Sequence, residues 1–431
     1  MKTYIANESI YYHIYPLGFT GAPAKNEGDK TASARIYKIS EHIPHMKSLG
    51  INALYLGPVF ESVYHGYDTA DYRKLDTRLG NNEDFEKVCK ELEENDIDLI
   101  LDGVFNHVGR SFFAFKDVKA KREASPYCSW FSGLRFDMNN SYNDGFHYDA
   151  WQGHEELVKL NLKNEDVVRY LLDSVDMWID KFGIKGLRLD AADCIDRDFF
   201  KRLRQHTLMR RPDFWLMGEI IHGDYRMWAN SEMLHSVTNY EMHKGYYSGI
   251  NDKNMFEPAH GLLREYGDWG LYKDLVLYNF VDNHDINRLA SYLKSTDNLK
   301  NIYTMLFTVP GTPSIYYGSE YGIKGEKANH SDAPLRPCWD DIEVTEEGKK
   351  LFEHIAELSE IRKNSNALKY GNYKQLHLEN EALVYSRNTQ SESCVVAVNI
   401  SASDKCFNVF ERGRNLQINL KPFSSEIITL Q

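Results

Sequence analysis

Along the first three quarters of the chain, short and almost uninterrupted apolar runs alternate with stretches whose apolar residues recur every third or fourth position. The runs are IYYHIYP from Ile10, ALYLGPVF from Ala53, IDLILDGVF from Ile97, GLRLD from Gly186, FWLMGEI from Phe214, SVTNY from Ser236, LVLYNFVDNHD from Leu275 and SIYYGSE from Ser314. Apolar on both faces, they read as strands buried between other layers. Between them, NEDFEKVCKELEEND places Phe85, Val88, Cys89 and Leu92 along one helical stripe. NEDVVRYLLDSVDMWIDKFG opens on an Asn suited to an N-cap and stops at Gly183, and EEGKKLFEHIAELSEIRKN gives a further helix. Eight strand-then-helix units predict an α/β fold whose parallel strands close into a (β/α)8 TIM barrel.

Two segments break the alternation. The interval 108–160 is too long for a connecting loop and rich in aromatics, Asn and Gly, and it reads as a small domain inserted after the third strand. Beyond Ser365 the pattern becomes short alternating strands (ALVYSRN, CVVAVNI, SSEIITL), which predicts a C-terminal antiparallel β-sandwich over 365–431. The barrel then takes residues 1–107 and 161–364.

Polar residues enter the predicted strands mostly at their C-terminal ends: Asp102, Asn106 and His107 on the third, Arg188 and Asp190 on the fourth, Glu219 on the fifth, and Asp282, Asn283, His284 and Asp285 on the seventh. Barrel strand ends converge on one face, and charged groups near a core are costly without a partner or a task. Within GLRLD the alternation of side chains puts Arg188 and Asp190 on one face and Leu187 and Leu189 on the other. An arginine there lowers the pKa of Asp190 and keeps it ionised. Glu219 follows the apolar FWLMG, a setting that keeps a carboxylic acid protonated. Neighbouring strands lie about 4.8 Å apart, which suits the roughly 5–5.5 Å carboxyl spacing of retaining glycosidases better than the wider inverting gap. Asp190 is therefore the candidate nucleophile and Glu219 the candidate acid.

Composition narrows the partners. The net charge of −12 over 431 residues argues against a nucleic-acid backbone or an anionic membrane. Aromatic residues reach 13%, with 28 Tyr and 7 Trp, a supply that suits stacking on sugars as well as core filling. The six cysteines are far apart with no CxxC pair, and the N-terminal MKTYIANESIYYHIYP has no apolar leader core. No apolar run is long enough to span a membrane. These features predict a cytoplasmic protein with free thiols.

DGVFNH (102–107), GLRLD (186–190), GE (218–219) and VDNHD (281–285) resemble, in order, the four signature segments of the α-amylase family of glycoside hydrolases. YHIYPLGF, HGYDTADY and APLRPCW resemble further family segments, so the likeness runs from about residue 10 to 340. It implies hydrolysis of α-glucosidic bonds with retention, through a covalent glycosyl-enzyme. Asp190 would be nucleophile, Glu219 acid/base and Asp285 the third acid, hydrogen-bonding the sugar on the non-reducing side of the cut. His107 and His284 would bind hydroxyls of that sugar and Tyr67 would stack beneath its ring. Asp102, Arg188 and His222 of GEIIHGDY complete the candidate substrate-binding set. Catalysis in the family needs no cofactor, but a structural calcium often joins the inserted domain to the barrel, with Asn106 at the matching ligand position. The sequence identifies no full set of oxygen ligands around it.

Departures from the family bear on substrate. Many endo-acting members carry Lys-His shortly after the nucleophile to grip the second sugar beyond the cut, where this chain has Asp193 and Cys194. LVKLN (157–161) resembles the MPKLN signature of cyclomaltodextrinases, neopullulanases and maltogenic amylases, although those usually carry an N-terminal β-domain and this chain enters its first strand near Ile10. The expected substrates are α-1,4-linked maltooligosaccharides or cyclodextrins, with transglycosylation open. A transferase, phosphorylase or isomerase acting on sucrose or trehalose is the alternative, followed by a catalytically silent sugar-binding member. The last would be expected to lack a carboxylate, and all three are present.

Overall fold

The computed structural model describes residues 5–328 and 331–431. Eight parallel strands form in the expected order: β1 (Tyr11–Ile14), β2 (Ala53–Leu56), β3 (Asp98–Gly103), β4 (Gly186–Leu189), β5 (Trp215–Gly218), β6 (Ser236–Val237), β7 (Tyr278–Phe280) and β8 (Thr312–Tyr316). They pair in the order β6-β5-β4-β3-β2-β1-β8-β7. A parallel bridge between Thr238 and Tyr278, with the Asn239 N–H donating to the Tyr278 carbonyl at 2.9 Å, joins the two ends and closes the barrel.

The alternation within each strand sorts the core into two layers. Tyr11, Ala53, Tyr55, Ile100, Met217, Tyr278 and Phe280 meet inside the barrel. Leu54, Leu56, Leu99, Leu101, Leu187, Leu189 and Leu216 face outward into the larger core under the helices. The helix Asn82–Glu94 begins with a reciprocal capping box between Asn81 and Asp84 and buries Phe85, Val88, Cys89 and Leu92. The helix Glu165–Phe182 is capped by the Asn164 side chain and ends at Gly183, whose φ of 63° suits a residue without Cβ.

The second strand stops earlier than the run ALYLGPVF predicts. Pro58 has no N–H to give a ladder, and Phe60–Ser62 instead pairs antiparallel with Thr69–Leu75 in a separate hairpin. After β3 the chain builds a three-stranded antiparallel sheet from His107–Gly109, Ala150–Trp151 and His154–Lys159, with the helix Phe113–Lys121 between its first two strands. His107, placed on the barrel side of the expected boundary, is the first residue of that sheet. At the C-terminus, four antiparallel strands (372–379, 382–388, 393–399, 424–430) and the hairpin 405–420 share a core of Val384, Val395, Ala397, Phe407, Val409, Ile418 and Leu420. Among the described residues no helix is long and apolar enough to cross a membrane.

Candidate active site

Arg188 is the hub of the polar cluster at the strand ends. On β4 it lies in register with Asp102 on β3 and Met217 on β5. Its Nη1 donates to Asp102 at 2.9 and 3.0 Å and to Asp190 at 3.1 Å, while Nη2 pairs with Glu219 at 2.9 Å. Beyond the expected pairing with Asp190, one guanidinium, 3% exposed, answers three carboxylates. These contacts make it a positioning group for the acids. Burial works against its charge, and Asp102 and Glu219 outweigh burial, so it stays a cation.

Asp190 and Glu219 follow directly on Leu189 and Gly218, which are paired in register on adjacent strands. The Glu219 N–H donates to the Leu189 carbonyl at 2.9 Å, so the two carboxyls leave neighbouring points of one ladder. Burial pushes the Asp190 carboxyl well above its usual range, and Glu219, Asp102 and Asp285 add to it; Arg188 tempers that rise without reversing it, against the expectation that it lowers this pKa and keeps the group ionised. Glu219 is likewise raised by burial, opposed by Arg188 and reinforced by Asp285. Asp285 behaves differently. Burial alone would raise it, but His284 and Arg336 hold it well below the ordinary carboxylate range. Arg336 donates from Nη2 to Asp285 at 2.8 Å and from Nε to the His284 carbonyl at 2.9 Å. Four carboxylates therefore face two guanidinium groups, and a proton retained on one acid lowers the repulsion.

The histidines and the tyrosine join this cluster. His284 Nε2 lies 3.0 Å from Asp285 Oδ2 and is hydrogen-bonded to the Tyr67 hydroxyl. The Tyr67 hydroxyl also donates to Asp102 at 3.1 Å, and its ring stacks on His284 at 5.5 Å between centroids. His107 Nε2 is 3.9 Å from Asp190 Oδ2 and has no hydrogen-bond partner. Burial holds His107 down to about 3, so it is neutral and that nitrogen is open to a hydroxyl. His222 is the exception: it is exposed on the loop after Glu219 and bonds none of the four carboxylates.

Asp282, although at a strand end, is structural, since it accepts from the Leu289 N–H at 2.8 Å and the Ser319 hydroxyl at 2.9 Å. Residues the motif reading missed include Arg336, Tyr55, whose hydroxyl donates to Asp102 at 2.9 Å, and Tyr240, whose hydroxyl accepts from Asn283 at 3.0 Å. Arg336 lies inside APLRPCW, so its signal was available; the two tyrosines carried none. Asp193 is exposed, and Cys194 beside it is half-buried near Trp151 and Lys159, with burial and Asp193 pushing the thiol up to about 11. Asn106 turns its Nδ2 to His107 at 3.2 Å and leaves a buried Oδ1 without a partner. That is one oxygen of the six to eight a calcium takes; no group of three metal-ligating side chains forms around it among the described residues. The fit is partial, and no step of the chemistry is routed through an ion there.

The family profile described as "Alpha amylase, catalytic domain" matches residues 13–346. A cyclomaltodextrinase of Geobacillus thermopakistaniensis (strain MAS1) is 30% identical over 449 residues, covering 98% of this chain and 74% of that protein. The intracellular maltogenic amylase of Bacillus subtilis (strain 168) is 28% identical over 370 residues, covering 84% of this chain and 61% of that protein. Among solved structures, the ligand-free cyclic α-maltosyl-(1→6)-maltose hydrolase of Arthrobacter globiformis superposes with a TM-score of 0.86 at 23% identity over 99% of both chains, a likeness of fold.

Proposed function

The chain belongs to the α-amylase family, and on that premise we propose that it is a retaining glycoside hydrolase of short or cyclic α-glucans. The observation that carries this reading is the pair Asp190 and Glu219, adjacent in register and held by one guanidinium. Neighbouring strands separate their origins by about 4.8 Å, the regime of direct attack and not of an interposed water.

In this reading Asp190 attacks as the carboxylate paired with Arg188 and Glu219 carries the proton, a form that burial and Asp285 favour. Glu219 gives that proton to the glycosidic oxygen as the bond from that oxygen to the anomeric carbon breaks. An Asp190 oxygen bonds the same carbon, giving a glycosyl ester. Asp190 then becomes a neutral ester, and Arg188 is left with Asp102 and Glu219. In the second half, a water or a sugar hydroxyl attacks the anomeric carbon, Glu219 takes its proton, and the ester opens to regenerate the Asp190 carboxylate. Asp285, kept ionised by Arg336 and His284, accepts hydroxyls of the bound sugar. His107 and His284 edge the same sugar, and Tyr67 underlies it. The side chains suffice for every step, with no cofactor. The likeness to a relative named as intracellular supports placing the enzyme in the cytoplasm.

A product time-course on maltoheptaose, β-cyclodextrin, pullulan and sucrose tests the reading. Maltose and glucose released from the first two as α-anomers support it. A rearranged disaccharide from sucrose, with the glucans untouched, would replace it with a transferase or isomerase.

A further inference from the structure

Behind β1, His42, His45 and Glu320 bring donor atoms within 4.8 Å of one another. His42 ends the helical turn Tyr37–Glu41, His45 lies in the helix Ile43–Ser48, and Glu320 sits in the turn Ser319–Tyr321 after β8. None of the three belongs to the carboxylate cluster. Glu320 is fully buried. Its Oε1 accepts the Tyr12 hydroxyl at 2.7 Å and lies 2.7 Å from His45 Nε2, while its buried Oε2 has no partner. His42 Nε2 is 3.2 Å from the same Tyr12 hydroxyl.

Hydrogen bonding alone leaves this cluster underserved. An ionised carboxylate at zero exposure normally takes a fixed cation and fills both oxygens; here the one ion-pair partner among the described residues is a histidine. The two imidazole rings stack at 4.2 Å, with Trp339 edge-on to His42 at 4.2 Å and to His45 at 5.0 Å, so two imidazolium ions would repel in a nearly dry space.

The geometry points to a divalent-cation site, of the zinc class, formed by His42, His45 and Glu320. Two imidazoles and a carboxylate are a donor set that zinc accepts, with water in the fourth place. Bond lengths of about 2.0–2.2 Å put tetrahedral donors roughly 3.3 Å apart, so the ion needs the 2.7 Å His45–Glu320 contact to open and the wider donor separations, which reach no more than 4.8 Å, to draw in. The His45 side chain, 15% exposed, gives the way in. Tyr12, donating to Glu320, becomes the outer partner that fixes the carboxylate. Because β1 pairs with β8, such an ion would tie the first barrel unit to the last. Its effect falls on stability, since it binds the folded chain and not the unfolded one.

The test uses the full chain, stripped with a chelator and titrated with zinc alone, reading bound metal by elemental analysis and the melting temperature by calorimetry. Expected are one zinc per chain, a melting temperature raised by several degrees, and with cobalt in place of zinc the intense visible bands of tetrahedral coordination. H45Q, conservative and at the edge of the cluster, should stay folded, keep wild-type kcat on maltotriose, and bind zinc at least tenfold more weakly. H42Q should do the same should H45Q prove unstable. Wild-type protein with no retained zinc and no shift in melting temperature would overturn the site. Undiminished stoichiometric zinc in both variants would overturn it equally, by placing the ion elsewhere.

Discussion

The main-chain N–H of Ala191 donates to Oε2 of Glu219 at 3.0 Å, so the residue that follows Asp190 also holds the acid on the next strand. To do so Ala191 adopts φ 43° and ψ 46°, the left-handed region that a residue with a Cβ occupies at a cost. The strain sits between the two groups whose spacing matters most. Ala191→Gly should therefore match or exceed the wild type in chemical denaturation, whereas Ala191→Val, branched in the same conformation, should lose about 1–3 kcal/mol. Equal stability of the two variants would mean that the backbone relaxes and stores nothing here.

The two carboxyls should separate by substrate. Asp190→Asn and Glu219→Gln should both remain folded and lose roughly 10³-fold or more in kcat on maltooligosaccharides, because each removes a chemical role. Glu219→Gln should recover much of that loss on glycosyl fluorides or activated aryl glycosides, whose leaving groups need little protonation. Asp190→Asn should not. Equal loss on both substrate types would move the acid away from Glu219.

Arg188 should reveal itself in the pH profile. Lysine keeps the charge but cannot span three carboxylates with a planar fork. In Arg188→Lys the pull that opposes burial at Asp190 and Glu219 weakens, so both carboxyls titrate higher than in the wild type. The acidic limb of kcat/KM, set by loss of a proton from Asp190, moves to higher pH, and so does the basic limb, set by Glu219. Lower activity with both limbs in place would make Arg188 a shape-holding residue only. Arg188→Leu, which leaves buried acids unpaired, should cost roughly 3–5 kcal/mol of stability as well.

The barrel was legible because its strands are apolar on both faces and its helices carry their own stops, as Asn164 and Gly183 do. The candidate acids were legible because Asp190 and Glu219 directly follow strands and Asp285 lies on the loop just after one. What escaped were partners supplied from far along the chain: Arg336 reaches Asp285 across 51 residues, and Tyr55 reaches Asp102 across 47. Nothing local in a sequence marks a tyrosine hydroxyl as a carboxylate partner, since its ring fills a core equally well. The three-way sharing of Arg188 was also out of reach, because RxD shows the neighbour on its own strand and hides those on the strands either side.

Glu265 offers a stability test away from the site. It is fully buried, accepts from the Asn239 amide at 2.9 Å through Oε2, and has a buried Oε1 with no partner. Burial first, with Glu241 adding to it, pushes its carboxyl up to about 8. A folded-state pKa above the unfolded one means that the folded chain binds more protons, so stability is greatest in acid and falls as pH rises from the unfolded pKa toward 8. Glu265→Gln mimics the protonated form and removes that slope. Its stability relative to wild type should grow by roughly 3 kcal/mol between pH 5 and pH 8, measured by urea denaturation at each pH. A difference independent of pH would show that Glu265 is ionised throughout.

Substrate length follows from what surrounds the cut. Polymer-degrading enzymes hold several sugars on both sides and can use that remote binding to lower the barrier. Beyond the cut this chain presents an exposed carboxylate, Asp193, and a half-buried thiol, Cys194, in place of a lysine and a histidine. A thiol pushed up to about 11 stays protonated at neutral pH and gives a sugar hydroxyl only a weak partner. Trp151 beside it can stack on a sugar, but one ring gives a single contact. With so little to hold a long chain past the bond that breaks, kcat/KM for maltooligosaccharides or cyclodextrins should exceed that for soluble starch by at least roughly tenfold per accessible linkage, about 1.4 kcal/mol of transition-state discrimination. Initial rates on both classes at subsaturating concentration measure it. Asp193→Lys with Cys194→His should narrow the gap by restoring the two donors. A starch value equal to or above the oligosaccharide value, with early loss of iodine staining, would show that other residues grip the polymer.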